Sequence, residues 1–300
     1  MKNKDKRHKK ERLAGLIMVL PALVLLGIFV FTPLVMAIHR SFFDYRSGDM
    51  TEFVGWANYI KILKNSIFFQ SIGNVVKMTF WITLFQIVLS FLFANALAKI
   101  KGKLAVFSRT IIYLPFLISG IVVAVIFTLL TTYNGGVING FLNLFGIEPI
   151  AFTNSVFWAP ISIIVPTLWI GFGYHTLVMY AGIINIPVDY FEAAKMDGAN
   201  FWQMTRYITI PQMKNYFVLL IVSLVVINLQ MFEVPLIMTN GQPANQTMTP
   251  VLYLIHARAN GNISDSEILA AAILIMIIIM LINSTIFYLF NSNRKKKVVA

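Results

Sequence analysis

The sequence predicts an all-α, polytopic membrane protein with six transmembrane helices. Two observations predict it. Of 300 residues, 58% are hydrophobic and only 12% are charged, against about 45–50% and about 25% in soluble domains. The apolar residues also gather into runs of 20 or more, long enough to cross roughly 30 Å of hydrocarbon as helices; the mean hydropathy of +0.76 reflects them. There are no cysteines, which excludes disulfides, thiolate metal sites and Cys nucleophiles. His8, His39, His175 and His256 are scattered, with no H-x-x-x-H pair, so no metal site is expected.

Residues 1–12, MKNKDKRHKKER, form a basic tail. Residues 13–291 form the membrane domain, and 292–300 a second basic tail. The first span covers 13–38. It is too long for a signal-peptide core and no small-residue cleavage site closes it. Pro21, Gly27 and Pro33 lie inside it, as transmembrane helices tolerate. Residues 39–71 read as external. There WANYIKILKNSIFF carries Trp56, Tyr59, Ile60, Leu63 and Ile67 at helical spacing, which predicts an amphipathic helix on the outer surface. The second span is 72–98, with Lys77 placed to snorkel near its outer end. A basic loop, KIKGKLAVFSR, leads to the third span, 110–132. An external loop then leads to the fourth, 156–184. The fifth is 215–238 and the sixth 268–290, joined by an external loop.

Six spans put both termini on one side, and charge chooses the side. Segments assigned inside hold 18 of the 24 Lys and Arg. By the positive-inside rule both termini are cytoplasmic. This bias accounts for most of the formal net charge of +12, so the basicity needs no nucleic-acid partner.

The loop at 185–214 is the longest polar stretch expected inside. Pro187 and Asp189 are set to start a helix over Tyr190–Asp197, Asp189 as its N-cap. Gly198 stands where a left-handed residue ends a helix. Asn200 is placed to cap a second helix, FWQMTRYI, and Pro211 to stop it or open the fifth span. Ala193, Ala194 and Met196 flank Glu192 and leave a small-residue surface that another protein can approach closely. Phe191 and Met196 are candidate anchors in a partner's pocket. Trp202 and Tyr207 are expected to brace the loop against the spans. These features serve a docking site and a solvated connector equally well.

Polar groups in hydrocarbon are costly and face a cavity or another helix. Asn228, Gln230 and Glu233 cluster in span five, and Trp169, Gly171, Tyr174 and His175 in span four. Amides and a carboxylate suit sugar hydroxyls, aromatic faces suit pyranose rings, and Gly171 permits close approach. The same groups also serve as contacts between packed helices, the role expected of His175, Gln86, Asn95 and Asn283. The sequence contains no G-x-x-x-x-G-K-S/T, so it has no P-loop for nucleotide phosphates. Ser119, Ser162 and Ser223 lack a G-x-S-x-G setting, and no enzymatic activity is expected.

The run IPVDYFEAAKMDGANFWQMTRYITIP resembles the EAA loop of bacterial ABC importer permeases. The resemblance implies a coupling helix that seats in a cleft of a separate ATP-hydrolysing subunit. It carries that role onto Glu192, Ala193, Ala194, Asp197, Gly198 and Pro211, with Ile208. Thr205 stands where an aromatic residue is common, and Ile210 where Leu is usual. LIMTNGQPANQT resembles a signature of the sugar permeases, departing at Asn240 and Gln242, and FVGWANYIKIL resembles their segment after the first span. The likeness covers nearly the whole chain. It implies the type I importer permease fold and a carbohydrate cargo of di- or oligosaccharide size. Gly171, Tyr174, Asn228 and Gln230 resemble its substrate-binding positions, to which the residue reading adds Glu233. The implied partners are a second related permease, an ATP-binding cassette dimer, an extracytoplasmic sugar-binding protein and membrane lipid. ATP and Mg are expected on the partner ATPase and no cofactor on this chain. The implied location is a bacterial cytoplasmic membrane. Two alternatives stand beside this. One is a non-sugar cargo such as glycerol phosphate, against which the spans hold no cation beyond Lys77. The other is an ion-coupled secondary transporter using Glu233, which predicts inverted repeats; no second Glu-bearing span mirrors span five.

The topology is tested by an alkaline-phosphatase fusion after Lys297. The fusion is expected to be inactive, and activity overturns the orientation.

Overall fold

In the computed structural model the backbone is described for residues 2–46 and 49–298, and side chains for 14–45 and 52–290. The basic side chains of the tails at 1–12 and 292–300, which carry much of the topology argument, lie outside those described. The chain is mostly helical. Among the described residues five helices are long and apolar enough to cross a membrane, or six spans when the one bent pair is counted as a span. The chain divides into two compact units, Met1–Lys64 with Ala257–Leu274, and Asn65–His256 with Ile275–Ala300.

The first unit begins with α1 (Lys2–Leu26), which passes through a π-helical turn, Gly27–Phe31, into α2 (Thr32–Ser41). Pro33 lacks an N–H and crowds the carbonyl four residues earlier. The wider turn sits just before it, with Thr32 donating from both its N–H and its Oγ1 to Gly27 O. The span Ala14–Ser41 buries none of its apolar core within the chain, so lipid or another subunit must cover it. A hairpin not expected from the sequence follows, β1 (Phe43–Arg46) and β2 (Asp49–Phe53), with Phe43 opposite Phe53. Then comes α3 (Ala57–Leu63). Its buried residues are Asn58, Tyr59 and Ile62, while Trp56, Ile60 and Leu63 stay exposed. The expected helix through Ile67 is thus two helices. Asn65 accepts from the N–H groups of Ile67 and Phe68 at 3.0 and 3.1 Å and starts a new one. Asn58 donates to the carbonyls of Ser41 and Phe43, and Tyr59 shares a 2.7 Å hydrogen bond with Ser41 Oγ.

The second unit opens with α4 (Ser66–Leu97), which begins six residues before the expected 72 because of that cap. The third span is not the continuous helix expected over 110–132. It is α5 (Gly102–Tyr113), a 3-10 turn at Leu114–Leu117 and α6 (Gly120–Thr131), the two arms bent by 95°. Pro115 sits in the turn, and Ile118 and Ser119 are extended, which ends one hydrogen-bond ladder before the next begins. After the short α7 (Val137–Asn143), Asn139 is buried. Its amide donates to the carbonyls of Thr132, Tyr133 and Ile150 and accepts from the Ile150 N–H, which folds this loop on itself.

Helix α8 (Trp158–Ile184) is the fourth span and packs most extensively on α4. It is followed by α9 (Val188–Met196), α10 (Phe201–Met204), a π-helical turn at Thr205–Thr209 and α11 (Ile210–Gln212). The fifth span is also broken. Helix α12 (Lys214–Leu229) ends, Gln230–Phe232 are not helical, and α13 (Glu233–Met238) begins. Pro235 explains the break: in a continuous helix its ring would strike the carbonyl of Met231. Helices α14 (Pro250–Ala259) and α15 (Asp265–Val298) complete the chain.

Among the described residues three apolar clusters hold the second unit, one of them Val75, Val225 and Leu229, and two bear on the site. Of these two, one joins Met78, Ile82, Ala124, Ile163, Val234 and Met238, and the other Ala94, Met179, Ile183, Ile186, Met213 and Leu220. Helix α8 can approach the elbow of span three only because residue 173 is glycine. A Cβ there would fall on Ile112 O and within 2.8 Å of Tyr113 Cα, both backbone atoms that cannot swing away. Gly173→Ala is therefore expected to destabilise the chain by about 1–3 kcal/mol, read as a lower thermal midpoint in detergent. Gly140→Ala, with nothing within 4 Å of its added carbon, is the control expected to show no loss.

Candidate functional site

The two broken spans meet at a cavity of about 550 Å³ in the second unit. Helix α4 contributes Gln86, and the elbow of span three contributes Phe116 and Gly120. Helix α8 contributes Thr167, Ile170, Gly171, Tyr174 and His175. The α12–α13 break contributes Asn228, Gln230, Met231, Phe232 and Glu233. Gly171, Tyr174, Asn228, Gln230 and Glu233, drawn from two spans, thus line one space. Trp169 does not; it packs on Phe127 with ring centroids 5.8 Å apart.

The polar groups are held by a few short contacts. His175 Nδ1 lies 2.6 Å from Gly171 O. A carbonyl only accepts, so the proton sits on Nδ1 and leaves Nε2 as the other ring atom. His175 is 4% exposed and Asn228 3% exposed. Neither His175 Nε2 nor Asn228 Nδ2 has a partner among the described residues. Unsatisfied buried polar atoms are costly and call for an explanation. These two, among several such atoms, belong to residues that line the cavity. Gln86 was expected to be merely structural, yet it lines the same space. With its amide turned so that Nε2 donates to Leu168 O and Oε1 accepts from the Phe172 N–H, both at 3.2 Å, it ties α4 to α8. Gly171 makes room for protein atoms: a Cβ would lie 3.2 Å from His175 Nδ1 and 3.3 Å from the Gln86 side-chain amide.

Phe116 and Tyr174 stack with centroids 4.9 Å apart and planes 15° from parallel, and both line the cavity. Glu233 is the one formally charged group in the lining, which contains no Lys or Arg. Its carboxylate lies directly against Gly120, the first residue of α6, so that a Cβ at 120 would collide with it. A carboxylate at a helix N-terminus is favoured by the peptide dipoles there. Phe116, Gly120 and Gln86 could not be found by clustering polar residues along one span, because only the folded elbow and the facing of α4 bring them in.

At the far end of α8 stands the polar loop. The caps expected there form, with one change. Pro187 takes the N-cap position and Asp189 lies within the first turn of α9, since the helix starts at Val188. Gly198 has φ +78. Its N–H donates to Lys195 O at 3.0 Å, and the Ala199 N–H to Ala194 O at 2.9 Å, the paired closing bonds of a Schellman motif. Asn200 and Gln203 form a reciprocal capping box at the start of α10. The expected helix over 201–208 is α-helical only to Met204 and continues as the π-helical turn.

The anchors differ from expectation. Trp202 and Tyr207 are each 71% exposed and stay out of the buried clusters; Trp202 meets the Phe201 ring edge-on, with centroids 5.6 Å apart. Phe191 and Ile208 instead pack on the cluster around Met179 and Met213, and Thr205 is buried. This leaves Glu192, Ala193, Asp197, Gly198 and Pro211 exposed, Ala194 half-buried and Met196 89% exposed.

Known proteins share this architecture. The family model described as binding-protein-dependent transport system inner membrane component matches residues 86–297. A probable ABC transporter permease protein of Pyrococcus horikoshii is 32% identical over 77% of this chain and 80% of its own. The lactose transport system permease protein of Rhizobium radiobacter is 30% identical over 80% of this chain and 81% of its own. The trehalose/maltose transport system permease protein of Thermococcus litoralis is 27% identical over 81% and 82% respectively. A solved bacterial ABC transporter involved in import of the acidic polysaccharide alginate shares the fold, with TM-score 0.81, 22% identity and coverage of 97% of this chain and 99% of that one.

The Gly120–Glu233 contact can be tested by a double-mutant cycle. Gly120→Ala displaces only the far end of the flexible Glu233 side chain and is expected to cost less than about 1 kcal/mol. In a Glu233→Ala background the clash is gone, so the pair should deviate from additivity by about 0.5 kcal/mol or more. Additive effects overturn the contact.

Proposed function

The chain belongs to the binding-protein-dependent transport system inner membrane component family, the multi-pass membrane permeases of ABC importers, and from that premise we propose that it carries a neutral carbohydrate, of di- or oligosaccharide size, through the cavity between α8 and the α12–α13 break. The observation that carries this reading is the convergence of Gly171, Tyr174, Asn228, Gln230 and Glu233 on one space. Relatives named for lactose and for trehalose and maltose support the cargo class.

The chemistry follows from the lining. The Asn228 and Gln230 amides, the Glu233 carboxylate and His175 Nε2 take or give hydrogen bonds to hydroxyls. The Phe116–Tyr174 stack offers an aromatic surface to the apolar face of a sugar ring. The only charge in the lining is negative, so a phosphorylated or acidic cargo meets repulsion in a low-dielectric setting, where it is strong. A neutral polyol does not.

The drive comes from outside the chain. Lacking a P-loop, it relies on a separate ATP-binding cassette dimer that holds ATP and Mg. That motor grips Val188–Met196, with Glu192, Ala193, Ala194, Asp197 and Gly198 at the contact and Pro211 setting the return into α12. Phe191 and Ile208 plant this loop on the core beneath α8 and α12, so a pull on α9 moves both walls of the cavity. A second related permease completes the pathway, and an extracytoplasmic binding protein delivers the sugar. The loop and both termini face the cytoplasm.

The reading is tested on the intact complex. A P-loop ATPase is expected to co-purify with the chain. Gly198→Val, which forces a β-branched residue to positive φ, should cut co-purification and uptake together by tenfold or more. Tyr174→Ala and Asn228→Ala should keep the ATPase bound and lose uptake. Uptake and sugar preference unchanged in the last two variants, at normal expression, defeat the cavity assignment; full coupling in Gly198→Val defeats the docking assignment.

A further inference from the structure

A second concavity lies away from the cavity, where α4 ends beside the polar loop. It measures about 220 Å³, and its lining includes Leu92, Asn95 and Lys99 from the end of α4 and Phe201, Trp202 and Thr205 from the loop. Its body is apolar and one end is basic. The Lys99 ammonium sits 4.0 Å from the centre of the Phe201 ring, a cation–π contact that holds the charge at the rim. No acidic residue lines the groove. Lys99 makes no ion pair among the described residues. Lys101, just before α5, and Lys103, in its first turn, are also exposed, as is Arg206, which follows Thr205.

The groove's place in the chain suggests what fills it. It sits where the apolar run of Ser66–Leu97 gives way to charge, the level at which hydrocarbon meets headgroups. Trp202 is exposed there, and tryptophan is enriched at that boundary. An occupant must put a chain against Leu92 and Trp202 and a negative group against Lys99. We propose that this groove binds an anionic phospholipid of the inner leaflet, its acyl chain along Leu92 and Trp202 and its phosphate headgroup at Lys99. The bound lipid bridges the end of α4 and α10, so the membrane's charge bears on the segment that carries the coupling helix. This rests on the membrane-spanning, loop-inside reading and is independent of the cargo.

Brominated lipids quench tryptophans they touch, which gives a direct test. The full chain, in the assembly in which it purifies, is reconstituted in phosphatidylcholine vesicles containing brominated phosphatidylglycerol or brominated phosphatidylcholine. The Trp202 signal is the difference between the wild type and Trp202→Phe. Brominated phosphatidylglycerol is expected to quench that signal at a mole fraction roughly fivefold lower than brominated phosphatidylcholine, the factor equivalent to one lysine's attraction to an anionic surface. Lys99→Gln should abolish the difference while leaving quenching of the other tryptophans unchanged. Equal quenching by the two lipids, or a preference that survives Lys99→Gln, overturns the proposal. So does a Trp202 signal that neither lipid quenches, because another protein then covers the groove. None of these outcomes bears on uptake or ATPase docking, so the transport reading is judged separately.

Discussion

Inside hydrocarbon, every backbone N–H and C=O must find a partner within the protein, and this constraint shapes the whole structure. Unbroken helices meet it internally; a break survives only where packed protein or a cavity supplies the missing partners. The second unit has two such breaks, at Ile118–Ser119 and at Gln230–Phe232, and both border the same cavity. Glu233 at one break lies against Gly120 at the other. Phe116 of the first elbow stacks on Tyr174 of the intact helix between them. The cavity is therefore the place where two ladders end.

Helix α8 connects this cavity to the polar loop. From Tyr174 to Ile184 is ten residues, about 15 Å of rigid helix. At one end Gly171, His175 and Gln86 form a tight polar knot; at the other Ile183 and Ile186 enter the cluster that also holds Met213 and, at its edge, Phe191. The loop is stiff in its own right, because a Schellman motif closes α9 and a capping box opens α10 within four residues. A force applied to the exposed face of α9 thus meets a braced element, with little slack to absorb it.

Much of this was legible in the chain. Hydropathy picked out the stretches that form the long helices, although α4 starts six residues before the expected 72 and the third span bends; Gly198 and Asn200 announced their caps because each residue type does one thing well at a helix end. Tyr174, Asn228, Gln230 and Glu233, which line the cavity, were legible as polar groups in expensive surroundings. The breaks were not, since a window of apolar residues looks alike whether straight or bent by 95°; only Pro115 and Pro235 hinted at them. Gln86 was passed over because its role depends on which face α4 turns to α8, and a uniformly apolar helix does not declare its inner face. Trp202 and Tyr207 misled for a related reason: in a membrane protein a large exposed aromatic can meet lipid or another subunit as readily as its own core.

In the proposed transport cycle the breaks bound a cargo site whose access is switched from the distant loop. The absence of native cysteines makes one measurement decisive: the rate at which a membrane-impermeant maleimide modifies Gln230→Cys in sealed vesicles containing the assembled complex. The reagent, applied from one side, is expected to react at markedly different rates when the ATPase partner is nucleotide-free and when it is trapped with ATP. A rate that ignores the nucleotide state, in a complex shown to hydrolyse ATP, would contradict that cycle.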